Sequence, residues 1–331
     1  MNTTAQSSGE PGSTLLYVHG RDFKPPAAEL MDVSVSALTA GLERDRPEAV
    51  EPFRALDKQI CYYGDLSNRF LLDAGGDYDE QLDISDRRNA VQKLRSLDKR
   101  KHFGVARYDR LPGKTAMAEF AADIAAPLLG SLGLSKKLIS GVAEDLGEYW
   151  NADSAFASAL QQRIRQPLAG ALARGDRVLL ISHGTGNVVA WDVLWQLSHD
   201  PQYAERHAAH KIDTWLTLGA PLGDSMVRRR ILGAKRRGRE RFPTNIVTWQ
   251  NVSAEDDYLC HDNTLADDFR AMLKQRQVSS IRDYGIYNLA VRYGKSNPHC
   301  SIGYLIHPRT AQIVADWLLN RPSGRAPTGT P

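Results

Sequence analysis

Short apolar runs alternate with helical apolar stripes along this chain. Leu15-Leu16-Tyr17-Val18 is brief and rich in aromatic and β-branched character, which predicts a buried strand ending at His19-Gly20. Met31, Val35, Leu38 and Leu42, spaced 4, 3 and 4 apart, put one apolar stripe on a helix. Gln59 to Tyr63 reads as a second strand, stopped by Gly64-Asp65. Strand, helix and strand in that order open a parallel sheet. The pattern resumes with a strand at Arg177 to Ile181 and a helix at Val188 to Leu197 that is apolar almost all round, hence buried. Further strands are expected at Thr214 to Leu218, at Ile246 to Trp249 and, last, at Ile286 to Val291. Pro308 suits the first position of a closing helix that buries Ile313, Val314, Trp317 and Leu318. Near-continuous apolar strands between helices predict an α/β fold, a mostly parallel sheet with helices on both faces.

Residues 66–170 show no strand pattern. They are charged from Asp79 to Lys101, Ala/Leu-rich from Ala116 to Leu134, and helical again around Ser154 to Ile164. This predicts a helical insertion or lid, broken at Pro112-Gly113 and at Pro167. A single domain over 14–320 is expected, with a disordered Ser/Thr/Gly-rich head at 1–13 and a Pro/Gly-rich tail at 321–331.

Composition narrows the class. With 42% hydrophobic and 24% charged residues, wholesale disorder and fibrous folds are excluded. No apolar run approaches the length of a transmembrane helix, and the first residues lack the basic and apolar regions of a secretory signal. Cys61, Cys260 and Cys300 are far apart and form neither a zinc spacing nor a disulfide framework, which points to a reducing cytoplasm. His207 and His210 lack the further ligands of a metal site, so no metal and no cofactor is expected. Charge is uneven. Residues 228–241 carry eight Lys/Arg and one Glu, or +7, which leaves −4 for the remainder of a chain whose total is +3. That segment is either a solvated face or a contact for an anionic surface, lipid headgroups or a nucleic-acid backbone. The absence of aromatics before Phe242 argues against single-strand stacking, and no clear nucleic-acid partner emerges.

In open α/β sheets, sites form beyond the carboxyl ends of the strands. The residues there are His19-Gly20, Ser182-His183-Gly184-Thr185-Gly186, Gly219-Ala220-Pro221, Asp256-Asp257 and His299. LLISHGTGNVVAWDVLW resembles the nucleophile elbow of the α/β-hydrolase superfamily, in its lipase- and esterase-like branch. LLYVHG resembles that superfamily's oxyanion strand, TLGAPLGD its next strand after the elbow, and NPHCSIGYLIHP its histidine loop. The order is elbow, acid, histidine.

The resemblance implies a general base at His299, with His307 a helix-start residue instead. It implies an acid at Asp256 or, close behind, Asp257, with His261 and Asp262 as weaker alternatives. An oxyanion hole is implied at His19-Gly20 and the Thr185 amide, with Arg21 beside it as a ligand-binding group. The nucleophile position holds Gly184, which has no side chain with which to form an acyl-enzyme. Glycine tolerates the strained elbow backbone, so the turn is expected to survive without its nucleophile. Ser182 and Thr185 are the substitute nucleophiles, Ser182 packed behind the turn and Thr185 pointing away from the histidine. The expected function is hydrolysis of a carboxylic ester or lipid-like small molecule, which with Gly184 needs either a rescued nucleophile or a water activated directly by His299, for which the space left by the missing side chain is one place. The alternatives are a catalytically inactive hydrolase-fold binding protein, or an elbow-altered version of an active esterase.

Overall fold

The computed structural model describes residues 12–113, 144–151, 155–260 and 264–320. The tail, all but the last two residues of the head, the Ala/Leu-rich stretch at 116–134, and His261 and Asp262 lie outside those residues. Six strands form one parallel sheet: β1 (Ser13–Val18), β2 (Asp57–Cys61), β3 (Arg177–His183), β4 (Ile212–Leu218), β5 (Ile246–Ala254) and β6 (Ser280–Ile286). Their spatial order is β2-β1-β3-β4-β5-β6. In register, Val18 lies beside Ser182, Ser182 beside Thr217, and Thr217 beside Asn251.

The strand period of two divides the core between the faces. Leu15, Tyr17, Leu179, Ile181, Leu216 and Leu218 pack with helices Ala27–Asp45 and Pro308–Leu319. Leu16, Val18, Val178, Leu180 and Trp215 pack with helices Ala155–Ala173 and Gly186–His199. Apolar side chains on both faces explain the unbroken apolar runs. The closing helix starts as its residues dictate: Pro308 stands at its first position, and His307 caps it by accepting the Arg309 N–H at Nδ1 (3.1 Å).

Two elements differ from expectation. The last sheet strand is Ser280–Ile286, whereas Val291–Arg292 pairs only with Lys295–Ser296 in a small antiparallel hairpin. Pro167 does not break the insertion; it lies inside helix Ala155–Ala173, where Ile164, Leu168, Ala171 and Leu172 are buried. That packing outweighs the one backbone hydrogen bond a proline removes. Between β2 and β3 the described residues form helices and no strand, including Gly64–Asp73, Glu80–Arg95 and Glu144–Tyr149.

The chain steps from β1 outward to β2, then returns to β3 on the other side of β1. The loops leaving β1 and β3 therefore part in opposite directions and open a crevice at their carboxyl ends. The basic segment lies elsewhere. It runs along helix Gly186–His199: Trp191 Nε1 donates to the Leu232 carbonyl (3.1 Å), Trp195 Nε1 to Glu240 (2.8 Å), and His199 meets the Phe242 carbonyl (2.7 Å). Arg228 pairs with Asp268, and the Arg230 guanidinium sits 5.0 Å over Trp150. Arg229, Lys235, Arg236 and Arg237 are exposed.

Two outcomes follow from this packing. Replacing Arg229, Arg236 and Arg237 together by Gln should change unfolding free energy by no more than about 0.5 kcal/mol per site in urea titration, because exposed side chains with few contacts contribute little. Asp192 is the opposite case. It is buried in helix Gly186–His199, accepts from Leu232 N–H (2.7 Å) and Tyr149 hydroxyl (2.8 Å), and burial pushes its pKa up to about 7. A carboxyl whose folded pKa is raised favours folding below its unfolded value of 3.8 and loses that contribution as pH climbs through about 7. Asp192→Asn should therefore match the wild type near pH 4. It should gain on it up to pH 8, by a difference on the order of 4 kcal/mol at about 1.4 kcal/mol per pKa unit. Parallel urea curves at the two pH values check this.

Candidate functional site

The turn from β3 into helix Gly186–His199 is built on Gly184, whose φ is +54°. Side chains other than glycine's adopt that region only under strain. Its N–H donates to the Leu218 carbonyl (3.0 Å), and its own carbonyl accepts from Asn187 Nδ2 (2.8 Å). The turn is thus locked between β4 and the helix.

His299 arrives from the loop that precedes the short helix Ser301–Leu305. Its Nδ1 lies 3.0 and 2.9 Å from the two carboxylate oxygens of Asp257. Asp257 is 2% exposed. Its burial opposes ionisation, but His299, the Tyr304 hydroxyl (2.6 Å) and the Leu259 N–H (3.1 Å) outweigh that, and its pKa falls below the usual carboxylate value. In the neutral imidazole, an ionised Asp257 keeps the proton on Nδ1 and leaves Nε2 as the acceptor. That Nε2 is buried and has no hydrogen-bond partner among the described residues. A Cβ built on Gly184 would lie 2.8 Å from Nε2 and 3.1 Å from Cε1 of the same ring. The imidazole edge itself fills the space of the missing side chain.

Of the two candidate acids, Asp257 is the one beside His299. Asp256, the first choice from sequence, has φ +59° and turns its carboxylate to the Tyr108 hydroxyl (2.7 Å). The left-handed backbone at 256 throws the two neighbouring side chains apart, so Asp257 alone of the pair meets His299. A second glycine makes room for it. Gly219, at φ +53°, would with a Cβ come within 2.8 Å of Asp257 Oδ2 and 3.1 Å of the Tyr304 hydroxyl.

Neither substitute nucleophile reaches His299. The Ser182 hydroxyl is fully buried, donates to Asn187 Oδ1 (2.5 Å) and accepts from Trp215 Nε1 (2.8 Å). Thr185 is buried at the start of helix Gly186–His199 and makes no side-chain cap bond. Its place is where helix backbone N–H groups lack intrahelical partners. His19 serves its own loop. Its Nε2 accepts from the Tyr63 N–H (3.1 Å), so Nδ1 carries the proton and donates to the Gly20 carbonyl (2.8 Å). Burial, aided by Lys24, lowers its pKa to about 3, which keeps the ring neutral. Arg21 pairs with Asp22 (3.3 Å) beside the same cleft.

Several neighbours were not legible from motifs. His183 donates from Nε2 to the His299 carbonyl (2.9 Å), and its ring centroid lies 4.5 Å from that of His299. Burial and His299 push its pKa well below the ordinary value. Tyr304, inside the quoted NPHCSIGYLIHP, accepts the Ala254 N–H (2.8 Å) while donating to Asp257. Lys24 turns its ammonium onto the Arg21 and Asp22 carbonyls, the latter at 3.0 Å. Tyr258 stands over His299 with ring centroids 6.1 Å apart. These contacts are made across elements, and only the Gly-rich loop ends hinted at them. Among the described residues no cluster of His, Cys, Asp and Glu could hold a metal ion.

The cleft in front of His299 has a volume of about 650 Å³ and runs past Arg21, Lys24, Asp83, Arg292 and Tyr258. No protein-family model, curated protein or solved structure matches the chain.

Gly219→Ala should lower stability by at least about 1 kcal/mol, since it adds both a left-handed Cβ and a contact with Asp257. The control, Gly285→Ala, faces open space and should be near neutral. Thermal melts check the pair. Nitrogen NMR should find neutral His299 protonated at Nδ1, and Asp257→Ala should shift that population toward the Nε2 form.

Proposed function

We propose that this chain has the α/β-hydrolase fold its motifs resemble, and that it uses the esterase-like cleft to bind a small molecule without forming a covalent acyl intermediate. One observation carries the reading: the His299 imidazole closes onto Gly184, 2.8 Å from where a nucleophile's Cβ would stand. A hydroxyl at that position needs the ring to retreat by roughly half an ångström or more to reach ordinary van der Waals separation. Among the described residues, position 184 offers no side-chain nucleophile to His299, and the Ser182 hydroxyl is engaged with Asn187 instead. The arrangement offers a buried imidazole nitrogen at the end of a cleft; Asp257 orients the ring, Tyr304 donates to Asp257, and His183 donates to the His299 carbonyl.

A second reading draws on that same pair. The hydrogen bond between His299 and Asp257 supports a general-base role, so ester hydrolysis by a water taken from the cleft side is the enzyme alternative. The basic segment adds a separate proposal. Arg229, Lys235, Arg236 and Arg237 are exposed, which supports an anionic surface as its contact. Retention on anionic vesicles should then fall with salt.

The binding reading expects no adduct from serine-directed phosphonates and no hydrolysis of p-nitrophenyl acetate that His299→Ala abolishes. Gly184→Ser should fold with a lowered melting temperature and show no more turnover than Gly184→Ala. His299-dependent turnover in the wild type establishes the enzyme alternative. Turnover in Gly184→Ser that His299→Ala removes identifies an esterase pocket with an altered elbow.

A further inference from the structure

The cleft's lining narrows what it binds. Among the described residues, six large apolar or aromatic side chains are conspicuously exposed, and three of them, Leu82 (54%), Tyr258 (58%) and Tyr293 (56%), border this one cleft. Solvent-facing tyrosines gathered around a concavity offer flat apolar faces with a polar tip. Phe23 and Tyr78 extend that wall, stacked with ring centroids 4.8 Å apart and planes 6° from parallel.

Beneath the aromatics the floor is charged but internally neutralised. Asp83 accepts from Arg87 (2.8 Å) and from Arg292 (2.5 Å), and Arg292 also holds Asp86. Lys24 is occupied by backbone carbonyls, and Arg21 pairs with Asp22. The lining counts four cations, Arg21, Lys24, Arg87 and Arg292, against the four carboxylates Asp22, Asp77, Asp79 and Asp83. An anionic headgroup would have to break these pairs. A cationic ligand is disfavoured at Tyr293, whose ring already carries the Arg292 guanidinium at 5.0 Å. A long acyl chain would lie on paired charges without satisfying them. Apart from Arg21, two lining residues carry a buried polar atom with no partner among the described residues, His299 at Nε2 and Ser296 at Oγ. One is an acceptor and the other both donates and accepts, which matches hydroxyl groups on a ligand.

Building on the proposed binding function, we infer that the cleft takes a neutral polyhydroxylated ring, the chemistry of a sugar or its glycoside. One face of the ring lies on Tyr258 and Tyr293, with its hydroxyls turned toward the inner end of the cleft at Ser296 and His299. A cleft of about 650 Å³ has room for one or two such rings, within the ordinary range of small-ligand sites.

The test is saturation-transfer NMR on the full chain. The probes are methyl β-glucoside, methyl α-mannoside, N-acetylglucosamine, maltose and cellobiose. Choline, octanoate and inorganic phosphate are run in parallel. At least one saccharide should show transfer, and Tyr258→Ala with Tyr293→Ala should weaken its binding about fivefold or more. Both tyrosines are more than half exposed, so this variant keeps its fold, and circular dichroism verifies that. Ser296→Ala should weaken the same saccharide severalfold. Transfer from none of the saccharides overturns the inference, as does saccharide transfer that the tyrosine variant leaves unchanged. Tyr258-dependent binding of choline, octanoate or phosphate alone overturns the ligand class while leaving the cleft a binding site. A phosphonate adduct overturns the underlying reading whichever probe binds.

Discussion

One buried negative charge organises the carboxyl-end face of this sheet. Asp257 is enclosed at the end of β5 and stays ionised only because His299, Tyr304 and the Leu259 amide converge on it. An unpaired carboxylate there would be strongly destabilising, so each partner's position is fixed by the need to satisfy it. Tyr304 ties the short helix Ser301–Leu305 to β5 through the Ala254 amide. Gly219 lacks a side chain where one would collide with the carboxylate. His299, held at Nδ1, can present only its other edge, and that edge falls against Gly184.

The fold was legible where burial is two-sided. β1, β3 and β4 are covered on both faces and read as unbroken apolar runs. β6 was misplaced because it is an edge strand: in Ser280–Ile286 only Ile281 and Ile286 are buried, and the intervening Arg282, Asp283 and Tyr284 hide it. Pro167 misled for a related reason, since local punctuation is overridden by a helix whose apolar side is packed on the sheet. Within the candidate site, Gly184 and His299 were readable because a turn glycine and a loop histidine follow apolar strands. The choice between Asp256 and Asp257 was not. It depends on one left-handed residue, and adjacent identical side chains give no sign of which carries it. His183, Tyr304 and Ser296 gain their meaning only from contacts across the sheet edge.

The strand, the tight turn at Gly184 and the hydrogen-bonded pair of His299 and Asp257 come together at a position that carries no side chain. Glycine at 184 does more than delete a hydroxyl. It avoids the strain of a left-handed side chain and leaves room for the imidazole, so a serine placed there would meet both the strain and the ring. The cleft retains a shape with aromatic rims, a self-paired ionic floor and two unpartnered polar atoms. Under the proposed binding function, those features suit a neutral ligand.

The central claim is that the His299 ring occupies the position a nucleophile would need. Proton NMR of the wild-type chain tests it directly through the nuclear Overhauser effect between the Gly184 Hα protons and His299 Hε1. With Cε1 3.1 Å from the Gly184 Cβ position, a strong cross-peak is expected. Its absence, together with a His299 ring in contact with bulk solvent, would contradict the account.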